Sequence, residues 1–199
     1  MKALFAILTL TLSTQTIAGY YLEPFLGYQF SAQQTEISND KSILIADETR
    51  FETSGLAAGL RAGSFFFPTI TFGLDLKYAS TTGKGQGKTS TQTDIKRKLS
   101  ELTIFATATY FDGPLKYWVG AGIYGDYSDS ESYNKEGKQS LKSGQSYKAG
   151  IGFYFTPTTT INLDLELIKT KTVKDTSTTN YPLTDGTVTN ALISVGLKL

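Results

Sequence analysis

Residues 99–127 read LSELTIFATATYFDGPLKYWVGAGIYGDY and divide into two arms around Asp112-Gly113-Pro114. In the first arm, one face takes Leu102, Ile104, Ala106, Ala108 and Tyr110, and the other takes Glu101, Thr103, Phe105, Thr107 and Thr109. In the second arm, one face takes Leu115, Tyr117, Val119, Ala121 and Ile123, and the other takes Lys116, Trp118, Gly120, Gly122, Tyr124 and Asp126. Because successive side chains of a strand point to opposite faces, the stretch predicts two long strands joined by a tight turn.

The same alternation recurs in six other segments, at residues 19–31, 52–66, 70–79, 144–156, 160–170 and 191–199. Long polar connections at 32–51, 80–98, 128–143 and 171–186 alternate strictly with short turns at Phe67-Pro68-Thr69, Asp112-Gly113-Pro114 and Pro157-Thr158-Thr159. An apolar clump, Ile43-Leu44-Ile45, interrupts the first connection and is interpreted as a local packing anchor. This order predicts an all-β fold, an eight-stranded antiparallel up-and-down barrel.

Each predicted strand has one continuous apolar face and one face of glycines and charges. A transmembrane barrel needs this arrangement, with lipid outside and a filled polar lumen inside. A soluble barrel of the lipocalin type would instead turn its apolar faces towards a ligand cavity. Since the long apolar side chains and the small or charged ones lie on separate faces, the sequence favours the transmembrane barrel.

The first residues have the pattern of an export signal. Met1-Lys2 is followed by an apolar run over 3–12, and Ile17-Ala18 precedes Gly19. We predict a cleaved Sec-type signal peptide over 1–18 and a barrel domain over 19–199. The chain has no Cys, so neither disulfides nor thiolate metal sites are expected to stabilise it.

Composition argues against several functional classes. The net charge is +1 and the basic residues are scattered along the chain, which argues against a nucleic-acid surface. No segment after the signal peptide approaches the length of a membrane-spanning helix. The run over 83–88 lacks the spacing and context of a phosphate-binding loop. A Ser or Thr nucleophile would need a base other than His, because the chain has none. We expect neither catalysis nor a cofactor or metal.

Aromatic residues are grouped at the predicted strand ends. Near the short turns lie Tyr20, Phe65, Phe66, Phe67, Tyr110, Phe111, Tyr117, Phe153 and Phe155, and near the long connections lie Phe30, Tyr78, Tyr127 and Tyr147. Ordinary enrichment of aromatic residues in strands would explain their presence but not their banding. We therefore expect two aromatic girdles at the membrane boundaries.

Charged side chains are expected to fill the lumen. The acids on inward faces are Glu23, Asp75, Glu101, Asp126, Asp164 and Glu166, and the bases are Arg61, Lys77, Lys116, Lys148 and Lys198. Charges in a narrow, dry lumen must pair, because an isolated one would cost several kcal/mol. We predict an ion-pair network formed by Glu23, Arg61, Asp75, Lys77, Lys148, Asp164 and Glu166.

The short turns also predict the register of two hairpins. A symmetric turn at Phe67-Pro68 places Arg61 opposite Asp75, and one at Asp112-Gly113-Pro114 places Phe105 against Gly122. The same register brings Glu101 near Asp126. Such an acidic pair is either a cation site at the rim of the lumen or two solvated carboxylates.

These features together resemble the family of small eight-stranded outer-membrane barrels, of the OmpA transmembrane domain and OmpX type. The resemblance covers 19–199 and rests on the strand pattern and on the last strand, 191–199. It implies a bacterial outer-membrane protein with periplasmic termini, in contact with membrane lipid and lipopolysaccharide. Family members usually end in Phe or Trp, which the barrel-assembly machinery reads, whereas this chain ends in Leu199. Barrel enzymes of the outer membrane use His, so its absence here supports a non-catalytic function.

Three functions are compatible with that resemblance. The first is a structural or surface-interaction role, in which four long external loops contact an extracellular ligand or a host surface. The second is a narrow channel for ions or small solutes, gated as Arg61 exchanges partners among Asp75, Glu23 and Asp164. The third, resembling the OmpW type, is binding of a small hydrophobic molecule, and it requires a lateral opening.

Overall fold

A computed structural model describes residues 19–37, 49–87, 95–131, 138–175 and 183–199. They form eight strands: β1 (Tyr20–Ile37), β2 (Thr49–Phe67), β3 (Ile70–Gly87), β4 (Ile95–Asp112), β5 (Leu115–Glu131), β6 (Lys138–Tyr154), β7 (Thr159–Asp175) and β8 (Leu183–Leu197). Each strand pairs antiparallel with the next, and β1 pairs with β8 to close the barrel. The predicted fold is therefore confirmed. The predicted signal peptide and the Ile43-Leu44-Ile45 clump lie outside the described residues. No helix in the described ranges is long and apolar enough to cross a membrane.

The two faces of the strands point as the sequence predicts. Leucines from three strands are exposed on the outer surface: Leu74 49%, Leu102 37%, Leu163 43% and Leu165 56%. Charged side chains on the opposite faces, among them Glu23, Asp75 and Lys77, are fully buried in the lumen. In water this distribution would leave a large apolar surface uncovered, whereas in a bilayer the same surface contacts lipid.

The strands are longer than a membrane requires. They run from 15 residues in β8 to 19 in β2, and about 9–11 tilted residues cross the hydrocarbon core. The predicted long connections were therefore wrong in extent. For example, β3 continues to Gly87 and β4 begins at Ile95, within the segment predicted as a loop. Strand pairing depends on backbone hydrogen bonds, so it continues beyond the hydrocarbon core, where a lipid-facing apolar side chain at every second position is no longer required.

A β-bulge changes the register of the β4–β5 hairpin. Phe105 lies opposite Gly122, as predicted, but the next pair is Ile104 with Tyr124, so β5 has one extra residue at Ile123. Consecutive residues Ile123 and Tyr124 are both exposed, at 61% and 45%. A bulge reverses the alternation beyond it. The prediction that Tyr124 points inward is thus wrong.

The bulge adjoins an interruption in the neighbouring ladder. Pairing between β5 and β6 stops at Ala121 with Tyr147 and resumes at Asp126 with Lys142. Ser146 is buried in this interval, and its side chain packs against Gly122, where a Cβ would collide with the Ser146 hydroxyl. The Ser146 side chain therefore fills the space between β5 and β6 where their backbone hydrogen bonds are interrupted.

Aromatic side chains form a belt around the short-turn end of the barrel. Exposed members are Tyr20, Phe66, Phe67, Tyr110, Tyr117, Phe153 and Phe155. Phe65 and Phe111 were wrongly placed in this belt. The Phe111 ring lies 5.3 Å from that of Tyr21 and 5.5 Å from that of Phe65, and Tyr21 is buried in the lumen, so these rings line the lumen mouth. At the other end, Phe30, Tyr78 and Tyr147 are exposed as predicted, but Tyr127 is buried inside.

Candidate functional site

Arg61 is the centre of the lumen network nearer the short turns. It lies on β2 opposite Asp75 of β3, in the predicted register. Its Nε donates to Asp75 Oδ2 at 3.0 Å, Nη1 to Glu23 Oε1 at 2.9 Å, and Nη2 to Asp164 Oδ2 at 2.6 Å. The planar guanidinium fork thus binds three carboxylates from three strands at once.

Aromatic rings enclose the same guanidinium. Its Cζ lies 4.5 Å from the centre of the Phe25 ring and 4.5 Å from that of Trp118. Trp118 Nε1 also donates to Asp164 Oδ1 at 2.8 Å. Gly150 makes room for the indole, since a Cβ there would collide with the Trp118 ring. Arg61 is therefore held by packing as well as by charge.

Lys116 completes this turn-end cluster from β5. Its Nζ forms an ion pair with Glu23 and donates to the Tyr21 hydroxyl at 2.8 Å. The Tyr21 hydroxyl in turn donates to Glu23, and Asn162 Nδ2 donates to Glu23 Oε1 at 3.0 Å. Lys116 Nζ also lies 5.2 Å from the centre of the Trp118 ring. The Glu23 carboxylate is therefore bound by two cations and two neutral donors.

Lys148 of β6 connects the two ends of the network. Its Nζ lies 2.6 Å from Asp75 Oδ2, 3.2 Å from Asp164 Oδ1 and 3.3 Å from Glu166 Oε1. A side chain that reaches all three carboxylates ties β3, β6 and β7 together across the lumen.

Lys77 of β3 is the centre of the loop-end cluster. Its Nζ forms ion pairs with Glu101 and Glu166 and donates to Gln29 Oε1 at 2.8 Å. Asn190 Nδ2 donates to Glu166 Oε2 at 3.0 Å and to Glu101 Oε2 at 3.2 Å. The structure therefore brings all seven predicted network residues together, and it adds Glu101, Lys116 and Asn190.

The predicted rim pair of Glu101 and Asp126 is not formed. Glu101 is buried in the lumen opposite Tyr127, whereas Asp126 lies opposite Leu102 and is exposed on the outer face. The bulge explains the error, because one extra residue in β5 turns Asp126 outward. Lys198, another predicted lumen base, is half-buried, with Nζ 5.6 Å from the Tyr154 ring centre.

Apolar side chains fill the lumen above the loop-end cluster. The buried residues Leu99, Tyr127, Ile168 and Val188 pack together there, and we call them the apolar plug. The sequence analysis missed this plug. Leu99 and Ile168 lie on the same faces as Glu101 and Glu166, which was an available signal, but β8 was predicted to begin after Val188.

A small cavity lies in the turn-end part of the lumen. A cavity of about 10 Å³ lies beside Arg61 and Asp75, between Thr71, Thr109 and Trp118. That is room for about one water molecule. Among the described residues, no group of three or more acidic, His or Cys side chains could hold a metal ion.

No protein-family model and no curated protein matches this sequence. Among solved structures, the outer membrane protein OprG from Pseudomonas aeruginosa has a TM-score of 0.59 at 14% identity, with 92% of this chain and 96% of that chain covered. Ail, the attachment invasion locus protein of Yersinia pestis, has a TM-score of 0.50 at 19% identity, with 92% and 100% covered. The chain has the fold of the small outer-membrane β-barrels. The outer membrane protein AlkL gives a TM-score of 0.52 at 13% identity, covering 90% and 89%. The resemblance inferred from the strand pattern is thus confirmed, and the exposed leucines form the surface that such barrels present to lipid.

Proposed function

We propose that this protein is a closed, non-catalytic barrel of the bacterial outer membrane that supports surface loops which bind anionic saccharides outside the cell. The observation that carries this proposal is the filled lumen. Ion pairs and the apolar plug occupy the interior of the described barrel, so a function at the outer surface needs no rearrangement of the wall.

The lumen network is suited to a rigid scaffold. Each of the eight strands contributes at least one polar side chain to it, and those residues are Glu23, Arg61, Asp75, Lys77, Glu101, Lys116, Lys148, Asp164, Glu166 and Asn190. Their contacts join strands that are not neighbours in the sheet. Such contacts across the lumen restrict movement of the strands, and so of the strand ends that carry the loops.

The charge of one hairpin indicates the chemistry of the partner. Residues 80–98, which include the loop-end parts of β3 and β4 and the segment between them, contain five Lys or Arg residues and one Asp. In the strand register Lys84 lies opposite Lys96, Gly83 opposite Arg97, and Thr82 opposite Lys98. The hairpin therefore concentrates positive charge in one part of the chain, and such a concentration attracts polyanions. Phosphates of lipopolysaccharide and sulfates of surface glycans share this anionic saccharide chemistry. Ail, a structural neighbour, has been solved with the heparin analogue sucrose octasulfate.

The test is binding of heparin to the barrel in nanodiscs, followed by surface plasmon resonance. The variant K84Q/K96Q/R97Q removes three charges from the β3–β4 hairpin. The matched control K138Q/K142Q/K174Q removes three charges from strands β6 and β7. We expect the first variant to lose most of the binding and the control to retain it. Parallel measurements in nanodiscs with and without lipopolysaccharide separate the two anion sources. Equal losses in both variants, or no binding by the wild type, would refute the proposal.

A gated ion path is the second candidate, because Arg61 contacts three carboxylates at once. Release of any one carboxylate leaves the guanidinium bound to the other two, so an exchange of partners would not leave the Arg61 charge unpaired. The apolar plug is a second barrier in series with this gate. We expect R61A to change single-channel conductance in planar bilayers only when combined with Y127A. Conductance that stays at the wild-type level in R61A, D75N and R61A/Y127A would eliminate the channel.

A further inference from the structure

The charges of the lumen network balance at one end and not at the other. Toward the short turns, three carboxylates face three cations, namely Glu23, Asp75 and Asp164 with Arg61, Lys116 and Lys148. Toward the loops, the two carboxylates of Glu101 and Glu166 face the single ammonium of Lys77. The loop-end cluster therefore has one carboxylate more than it has cations.

Lys148 does not supply the missing charge. It lies 3.3 Å from Glu166 Oε1, but it is closer to Asp75 Oδ2, at 2.6 Å, and to Asp164 Oδ1, at 3.2 Å. The charge of Lys148 is already required at the turn end, because Arg61 and Lys116 together balance only two of the three carboxylates there. The excess negative charge therefore stays with Glu101 and Glu166.

The two excess carboxylates share the same donors. Lys77 Nζ has three N–H groups, and its three partners are Gln29 Oε1, Glu101 Oε1 and Glu166 Oε2. The Asn190 amide donates to both carboxylates, at 3.2 Å to Glu101 and 3.0 Å to Glu166. Glu101 and Glu166 therefore converge on one ammonium and one amide.

Several buried polar atoms at this point have no hydrogen-bond partner. Among the described side chains these include Glu166 Oε1 and Asn190 Oδ1, which can only accept, and the hydroxyls of Tyr127 and Thr103, which can also donate. The register places Asn190 opposite Glu166 and Tyr127 opposite Glu101, with all four side chains buried. Protonation of one carboxylate removes the excess negative charge and turns one acceptor into a donor.

Both carboxylates are buried away from bulk solvent. The apolar plug of Leu99, Tyr127, Ile168 and Val188 covers the cluster on the loop side. Two like charges close together in a site of low dielectric disfavour the doubly ionised state.

We propose that Glu101 and Glu166 share one bound proton at neutral pH, so that the pair is a proton-binding site within the barrel. The titratable groups facing it are Lys77 from β3, Tyr127 from β5 and Lys148 from β6; Gln29 and Asn190, from β1 and β8, are uncharged. A metal cation fits less well, because the Lys77 ammonium already lies between the carboxylates.

Infrared spectroscopy of the folded barrel in lipid tests this directly. A protonated carboxyl has a C=O stretch well separated from the carboxylate bands. We expect this band in the wild type at neutral pH and its loss in both E101Q and E166Q, since the remaining carboxylate then has Lys77 to itself. The matched control is D126N, which removes an exposed carboxylate and should keep the band. Absence of the band in the wild type, or its persistence in both Gln variants, would overturn the proposal.

The pH dependence of unfolding gives a second readout. Loss of the proton leaves two negative charges on one cation, so wild-type stability should fall as the pH rises from neutral to alkaline. E101Q has one carboxylate and one ammonium, so its urea midpoint should fall less, while D126N should follow the wild type. Identical pH profiles for E101Q and the wild type would contradict the proposal. Dependence of the wild-type midpoint on Na⁺ or K⁺, without the infrared band, would show a cation site instead.

Discussion

Replacement of Arg61 by Met tests whether the network stabilises the barrel. R61M keeps an apolar stem against Phe25 and Trp118 but removes ion pairs at 2.9 Å to Glu23, 3.0 Å to Asp75 and 2.6 Å to Asp164. The turn-end cluster then has three carboxylates and two ammonium groups. Removing one partner of a buried ion pair costs about 3–5 kcal/mol, because a buried charge is left uncompensated. We expect a loss of free energy of unfolding of at least that order.

A second substitution separates charge balance from packing. In R61M/D164N the cluster returns to two carboxylates, Glu23 and Asp75, facing Lys116 and Lys148. In the wild type, Trp118 Nε1 donates to Asp164 Oδ1 at 2.8 Å. The amide oxygen of the substituted Asn side chain can still accept this hydrogen bond. We therefore expect the double variant to be more stable than R61M by at least about 1 kcal/mol, although it contains one more substitution.

The assay is urea unfolding in lipid vesicles, followed by the fluorescence of Trp118, the single tryptophan of the chain. Because the indole lies against Arg61, band shifts on gels before and after boiling provide a readout independent of the mutated site. An R61M stability within about 1 kcal/mol of the wild type would refute the structural role of the network. Simple addition of the R61M and D164N effects would refute the argument from charge balance.

Two further substitutions test the packing of the lumen and the lipid-facing surface. G150A should destabilise the barrel by about 1–3 kcal/mol, because the added methyl collides with the Trp118 ring, and W118F should reduce that cost in the same urea assay. L165K places an ammonium group on the exposed outer face near the middle of β7 and should cost about 2–4 kcal/mol. T189K, on the outer face of β8, should cost less, because Thr189 lies opposite Leu167 and so nearer the loop end than Leu165. Equal effects of L165K and T189K would contradict the placement of the lipid belt.

The faces of the strands could be predicted from the sequence because a membrane barrel has two very different environments. Leu163 and Leu165 can lie only against lipid, and Asp164 between them can lie only in the lumen. The pairing of Arg61 with Asp75 was also accessible, since a short turn fixes the register of its hairpin. The position of Asn190 in the network was harder to predict from the sequence. Its role depends on β8 starting at Leu183, in a polar segment where alternation gives no signal.

One local irregularity explains most of the errors at the candidate site. Alternation continued without interruption through β5 would place Asp126 in the lumen and Tyr127 outside. The extra residue at Ile123 reverses both, and Gly122 directly before it was the available signal, since glycine within a strand pattern often marks a bulge. The consequence is electrostatic. Asp126 inside would add another carboxylate beside a network that already has one more acid than its cations balance. By turning Asp126 outward and bringing the Tyr127 ring inward, the bulge limits the excess to a single negative charge and covers it with an apolar side chain. A single proton is then sufficient to neutralise the network.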